Sequence, residues 1–68
     1  VRQETQLYIT LQQFLKREAI ISTGGQAKAF LLHNVVLVNG QAEKRRGRKL
    51  RLNDNVTINN TVHIVDYI

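Results

Sequence analysis

Cysteine is absent from the 68 residues, so neither a disulfide nor a zinc–thiolate site is available, and the composition fits a reducing cytoplasm. Aromatic residues number only four, two Tyr and two Phe. No apolar run approaches the ~18 residues of a membrane span, and no signal-peptide pattern opens the chain. The first residue is Val1 rather than Met, which leaves a trimmed chain or a piece of a longer one open. Acidic residues number five. Glu4, Glu18, Glu43, Asp54 and Asp66 are scattered as expected of solvated surface. His33 and His63 are far apart in sequence, without clustered carboxylates, and no nucleophile is spaced to a base. An enzyme, a metal site, a cofactor and a small-molecule substrate are therefore not expected.

What is present is cationic and local. The net charge is +5 and the isoelectric point about 10.3. Residues 44–51, Lys-Arg-Arg-Gly-Arg-Lys-Leu-Arg, hold six of the ten basic side chains and no acid, so the rest of the chain carries slightly more acid than base. Packing like charges into eight residues costs self-repulsion that a polyanion relieves. A 68-residue chain that is 43% hydrophobic is long enough for one small core and one domain, residues 1–68.

Thr10-Leu11-Gln12-Gln13 reads as a capping box, with Ile9 and Phe14 as its hydrophobic staple. Leu11, Phe14, Leu15 and Ala19 follow at helical spacing while Gln12, Gln13, Lys16 and Arg17 face away, predicting a helix over 11–19. Leu7-Tyr8-Ile9 before it reads as extended. Thr23-Gly24-Gly25-Gln26 repeats the device, Ala27, Phe30 and Leu31 supply a second buried face, and Asn34 is a left-handed stop. After residue 34 the pattern turns β-branched. Val35–Val38 reads as a strand, Asn39-Gly40 as a hairpin turn and Gln41–Glu43 as its brief return. Asn53–Asn55 is a turn, Val56–Ile58 a strand, Asn59-Asn60 a turn and Thr61–Val65 a strand, with His63 outward. Two helices followed by three or four short antiparallel strands make an α+β domain.

The candidate binding residues fall in two segments. In Lys44, Arg45, Arg46, Arg48, Lys49 and Arg51 the arginines offer planar forks for phosphate oxygens and the lysines mobile point charges. Gly47 lets the loop turn, and Leu50 and Leu52 alternate inward. At Gly24, Gly25 and Gln26 a helix start without side-chain bulk presents free N–H groups to an anion, with Lys28 one turn on; glycines there also permit close packing on the first helix. Nucleic acid is the expected partner by the basic-patch criterion. RNA and DNA stay open on charge alone, as do a solvated charged loop, a nuclear-localisation tract and a module that docks on an acidic or ribosomal protein. Tyr8 and Tyr67, among apolar neighbours near the termini, are expected to pack rather than stack on bases, and four aromatics are too few for an RRM-type sheet.

The segments Leu11–Lys16, Thr23–Lys28, Val36-Leu37-Val38-Asn39-Gly40 and Asn53-Asp54-Asn55-Val56, spread over about 70% of the chain, resemble the S-four RNA-binding domain family, named after a small-subunit ribosomal protein. Its αL motif also occurs in pseudouridine synthases, bacterial tyrosyl-tRNA synthetases and a ribosome-binding heat-shock protein. Gly24–Lys28 together with Arg45–Leu50 is most similar to the bacterial single-domain members. The resemblance implies a motif core over about residues 9–58. It also implies non-catalytic binding of structured RNA, ribosomal or transfer, in the cytoplasm, with the ribosome or a subunit as the setting. RNA would lie across the second helix and the basic loop, recognised by shape and phosphate. Many members open the first helix with Arg-Leu-Asp, where this chain has Ile9-Thr10-Leu11. Many place a phosphate-contacting Ser-Arg where it has Thr23-Gly24, so the basic loop would substitute. The usual Gly-Asp turn is here Asn53-Asp54.

Overall fold

Capping chemistry starts the first helix at the expected place. In the computed structural model, which describes residues 7–68, the Thr10 hydroxyl accepts from the Gln13 N–H at 3.2 Å and Gln13 Oε1 accepts from the Thr10 N–H at 2.9 Å. Helix α1 runs Leu11–Arg17 and buries Leu11, Phe14 and Leu15. Its end differs from the expectation in a definite way. Ala19 is exposed with φ 60°, and the Ile20 and Ala19 N–H groups bond back to the Leu15 and Lys16 carbonyls. This is a Schellman ending with alanine in the place glycine favours, so Ala19 terminates the helix instead of extending its buried face. Arg17, expected to face away, folds inward over the Phe14 and Tyr67 rings, 5.4 and 3.8 Å from their centroids.

Helix α2, Ala27–His33, follows a single 3-10 turn at Gly24–Gln26. Asn34 is not left-handed but extended, with φ −129°. The helix needs no left-handed stop because side chains satisfy its last carbonyls: Asn34 Nδ2 donates to Phe30 O at 2.9 Å and Lys44 Nζ to Leu31 O at 2.8 Å. The chain then runs directly into β2, Val36–Val38, and turns through Asn39 and Gly40 at φ 51° and 84° into β3, Gln41–Ala42. Two successive positive φ values define the type I′ turn that suits the right-handed twist of a hairpin. Asn59 and Asn60, at φ 48° and 75°, make the same turn between β5, Asn55–Ile58, and β6, Thr61–Ile64.

The strand order is β3-β2-β5-β6, all antiparallel. Val36 pairs with Ile58 and Val38 with Val56, and these four buried side chains form the sheet's contribution to the core against Leu11, Phe14, Leu15 and Leu31. His63, expected outward, is opposite Val56 and lies edge-on to the Phe14 ring at 6.4 Å. The sheet has four strands, within the expected three or four, and among the described residues Ile9–Thr10 (β1) pairs with Lys49–Leu50 (β4) as an additional two-stranded ribbon. Two-residue strands carry too little alternation to be read from sequence. Leu50 is fully buried, whereas Leu52 is 48% exposed: β4 ends and the chain turns at Asn53, φ 72°, before a second inward position is reached. Glu4 lies outside the described residues.

Candidate nucleic-acid interface

The basic loop is the crossover between β3 and β4, and its path is dictated by three sets of bonds. At one end Glu43 is buried, 8% exposed, contrary to its expected place on solvated surface. Its carboxylate accepts from the Lys44 and Arg45 N–H groups at 3.2 and 3.0 Å and from Arg45 Nε and Nη2 at 3.0 and 3.1 Å. Arg48 Nη1 is a further 3.6 Å ion-pair partner. In mid-loop the Arg46 and Arg48 carbonyls accept from the Gln12 and Leu11 N–H groups at 2.9 and 2.8 Å, satisfying two of the amides that a helix start leaves open. At the far end the β1–β4 ribbon holds Lys49 and Leu50, and Asp54 Oδ2 accepts from the Arg51 N–H at 2.7 Å. The cations are thus carried on a fixed backbone.

The six loop cations do not play equivalent parts. Lys44 caps helix α2 through its ammonium, and Arg45 is engaged with Glu43 although its side chain is 73% exposed. Removing Arg45 would deprive a buried carboxylate of its main side-chain partner, so Arg45 bears on the loop's structure as well as on its charge. Arg46, Lys49 and Arg51 are exposed, and Arg48 is half-buried. Arg45, Gly47, Arg48 and Lys49 line an open depression of about 560 Å³. Lys28, Leu32 and Lys44 line a second, of about 360 Å³.

Gly24, Gly25 and Gln26 are less open than the sequence implies. Gln26 Oε1 is occupied, accepting from the Ser22 and Thr23 N–H groups at 2.6 and 3.2 Å, and the Gln26 N–H donates to Thr23 O at 3.1 Å. A Cβ on Gly24 would come within 2.5 Å of the Gln12 side-chain amide, so this glycine permits close approach to α1. Gln12 thereby touches both candidate segments, its backbone on Arg46 and its side chain on Gly24. His33 is exposed at the end of α2, and His63 Nδ1 stands 3.5 Å from Glu18 Oε1. Among the described residues no cluster of three or more His, Asp or Glu is placed to hold a metal ion, and no helix is long and apolar enough to cross a membrane.

Glu43 was missed by sequence reasoning. The signal that marks it is an acid directly before a basic run, two and five residues from Arg45 and Arg48. Hydrogen bonds from the Arg45 side chain, aided by the Arg45 and Lys44 N–H groups and against the opposing effect of burial, hold its carboxyl down at about 2. The folded value lies below the ordinary 4.5, so the carboxylate's contribution is complete above that ordinary value and is lost as pH falls toward the folded one. In acid titrations of thermal stability, the gap between wild type and Glu43→Gln is expected to close between about pH 4.5 and 2. A gap unchanged across that window would show that the ionised carboxylate does not stabilise the loop.

A family model described as S4 domain matches residues 2–66. A Bacillus subtilis (strain 168) protein described as probable ribosome maturation protein RlbA is 54% identical over 50 residues, which cover 74% of this chain and 70% of that one. No solved structure matches the chain.

Proposed function

The chain belongs to the S4 domain family, and from that premise we propose that it binds structured RNA without catalysing a reaction on it. The observation that carries this reading is the backbone-fixed basic loop, which holds Arg46, Arg48, Lys49 and Arg51 against the start of α1. Arg48 and Lys49 contact phosphates at the larger depression, Arg46 contacts one from its exposed place in the same loop, and Lys28 contacts a further phosphate beside the smaller depression. Lys44 and Arg45 shape the loop, and Arg45 keeps an exposed edge for RNA. Gly25, exposed and without a side chain, lets the RNA backbone pass close to the protein, while Gly24 and Gln26 hold that turn against α1 and its own backbone. Such contacts fix position and register but carry little base information, so selectivity comes from RNA shape. Ribosomal RNA in the cytoplasm is the favoured partner, supported by the description of the Bacillus subtilis relative as a ribosome maturation protein.

Binding is tested by fluorescence anisotropy with a structured RNA hairpin, the matching DNA hairpin and an unstructured RNA across a salt series. With about five phosphates neutralised, log affinity for the folded RNA is expected to fall against log salt with a slope of about −3.5 to −4.5. Arg46→Ala/Lys49→Ala removes two exposed cations whose side chains make no hydrogen bond or ion pair among the described residues, Lys49 lying only beside the Tyr8 ring, and is expected to reduce that slope by about 1.4 to 1.8 while leaving the thermal transition in place. A flat salt response would sink the proposal. Equal affinity for all three probes would reduce it to general polyanion binding, and preference for the DNA hairpin would reassign the basic face to DNA.

A further inference from the structure

Alternation in the β1–β4 ribbon sorts its side chains into two faces. Ile9 and Leu50 are register partners, and Leu50 is fully buried. Their neighbours Tyr8, Lys49 and Arg51 therefore share the opposite, outer face. There the Lys49 ammonium lies 5.0 Å and the Arg51 guanidinium 5.5 Å from the centroid of the Tyr8 ring. Arg51 Nη1 also donates to Leu7 O at 3.4 Å, which ties the segment before β1 to this cluster. Tyr8 is half-buried, while both cations belong to exposed side chains. Lys49 also lines the larger depression, so one side chain reaches both that depression and the ring. An aromatic face flanked by mobile cations beside a phosphate-binding surface has the parts that hold an unpaired nucleotide: a π surface for the base and positive charge for the phosphates on either side.

We infer that Tyr8 is a stacking platform for one unpaired nucleotide of the bound RNA, with Lys49 and Arg51 moving from the ring onto the flanking phosphates. The inference rests on the RNA-binding reading and adds a preference to it: an RNA helix interrupted by a bulged nucleotide is bound more tightly than an uninterrupted helix of equal length.

The test measures affinity for two RNA hairpins of equal length, one with a single bulged purine and one fully paired. Tyr8→Leu is expected to lose about tenfold in affinity for the bulged hairpin, within the range that base–aromatic stacking supplies, and to bind the paired hairpin as wild type does. Tyr8→Phe keeps the ring and is expected to retain the preference. The chain has two tyrosines and no tryptophan, so a Tyr67→Phe background makes Tyr8 the sole emitter. Its fluorescence should be quenched by the bulged hairpin, a readout that does not depend on Tyr8→Leu folding normally. Steep salt-dependent binding with unquenched emission, or an equal loss by Tyr8→Leu on both hairpins, overturns the stacking role and leaves the phosphate-binding reading standing. Absence of wild-type binding to either hairpin overturns both.

Discussion

Glu43→Ala is expected to weaken RNA binding by about tenfold even though it raises the net charge, and to lower stability by about 2 kcal/mol. A description by charge alone predicts the reverse for affinity, since deleting an acid beside six cations strengthens the positive field. The difference lies in the loop backbone. Glu43 accepts two main-chain N–H groups and the Arg45 side chain, and pairs with Arg48. Hydrogen bonds to a charged group contribute about 1.5–3 kcal/mol each when deleted singly, and water replaces part of that at a solvated loop, which sets the stability estimate. Without the carboxylate both arginines must be ordered at the moment of binding, at about 0.5–1.5 kcal/mol per side chain, or roughly tenfold in affinity together. Chemical denaturation and anisotropy on the same variant separate the two effects. Tighter binding by Glu43→Ala would mean that the field, not the preorganised loop, governs recognition.

Phe14→Ala is expected to have the largest effect on folding. The ring is fully buried at the centre of the core, in edge contact with His63 and beneath the Arg17 guanidinium. Phe-to-Ala changes at such sites remove about 3–5 kcal/mol, and a chain of this length holds only roughly 3–10 kcal/mol in total. The variant should lose most or all of its cooperative thermal transition by circular dichroism, with Phe14→Leu intermediate because it leaves a smaller void. The effect should reach the C-terminal residues, because Arg17 carries them: its Nη1 donates to Tyr67 O at 2.8 Å and its guanidinium stacks on the Tyr67 ring. A Phe14→Ala protein that melts within a few degrees of wild type would place the centre of the core elsewhere.

What the sequence made legible was local. The Thr10–Gln13 box and the Asn39-Gly40 turn depend on residues within a few positions of one another, and they formed as their chemistry requires. The α+β order followed from the change of hydrophobic period at residue 34. The ribbon of β1 with β4 joins residues forty apart through two-residue strands, and nothing in either segment announces the other. The inward turn of Arg17 depends on Tyr67, fifty residues away, and that of His63 on which sheet face meets Phe14. Asn34 misled for a different reason. Its extended backbone depends on donors, its own side chain and that of Lys44, which satisfy the helix end and make a left-handed residue unnecessary. At the candidate site the cations were legible as a group. Their division into Lys44 and Arg45, whose side chains bond within the fold, and Arg46 and Lys49, whose side chains make no hydrogen bond or ion pair among the described residues, was not, because that depends on where Glu43 and the end of α2 lie.

The two bonds from the start of α1 to the loop run to the carbonyls of residues 46 and 48, groups that every amino acid possesses. The trace of the loop across the helix is therefore largely indifferent to the side chain at 46, and at 48 depends on it through the longer pair with Glu43 and a 3.4 Å bond from Arg48 Nε to Lys49 O. A loop built this way works as an interchangeable display. New side chains can be presented at residues 46 and 49 of an unchanged domain, so that the recognition surface can change without the fold being remade.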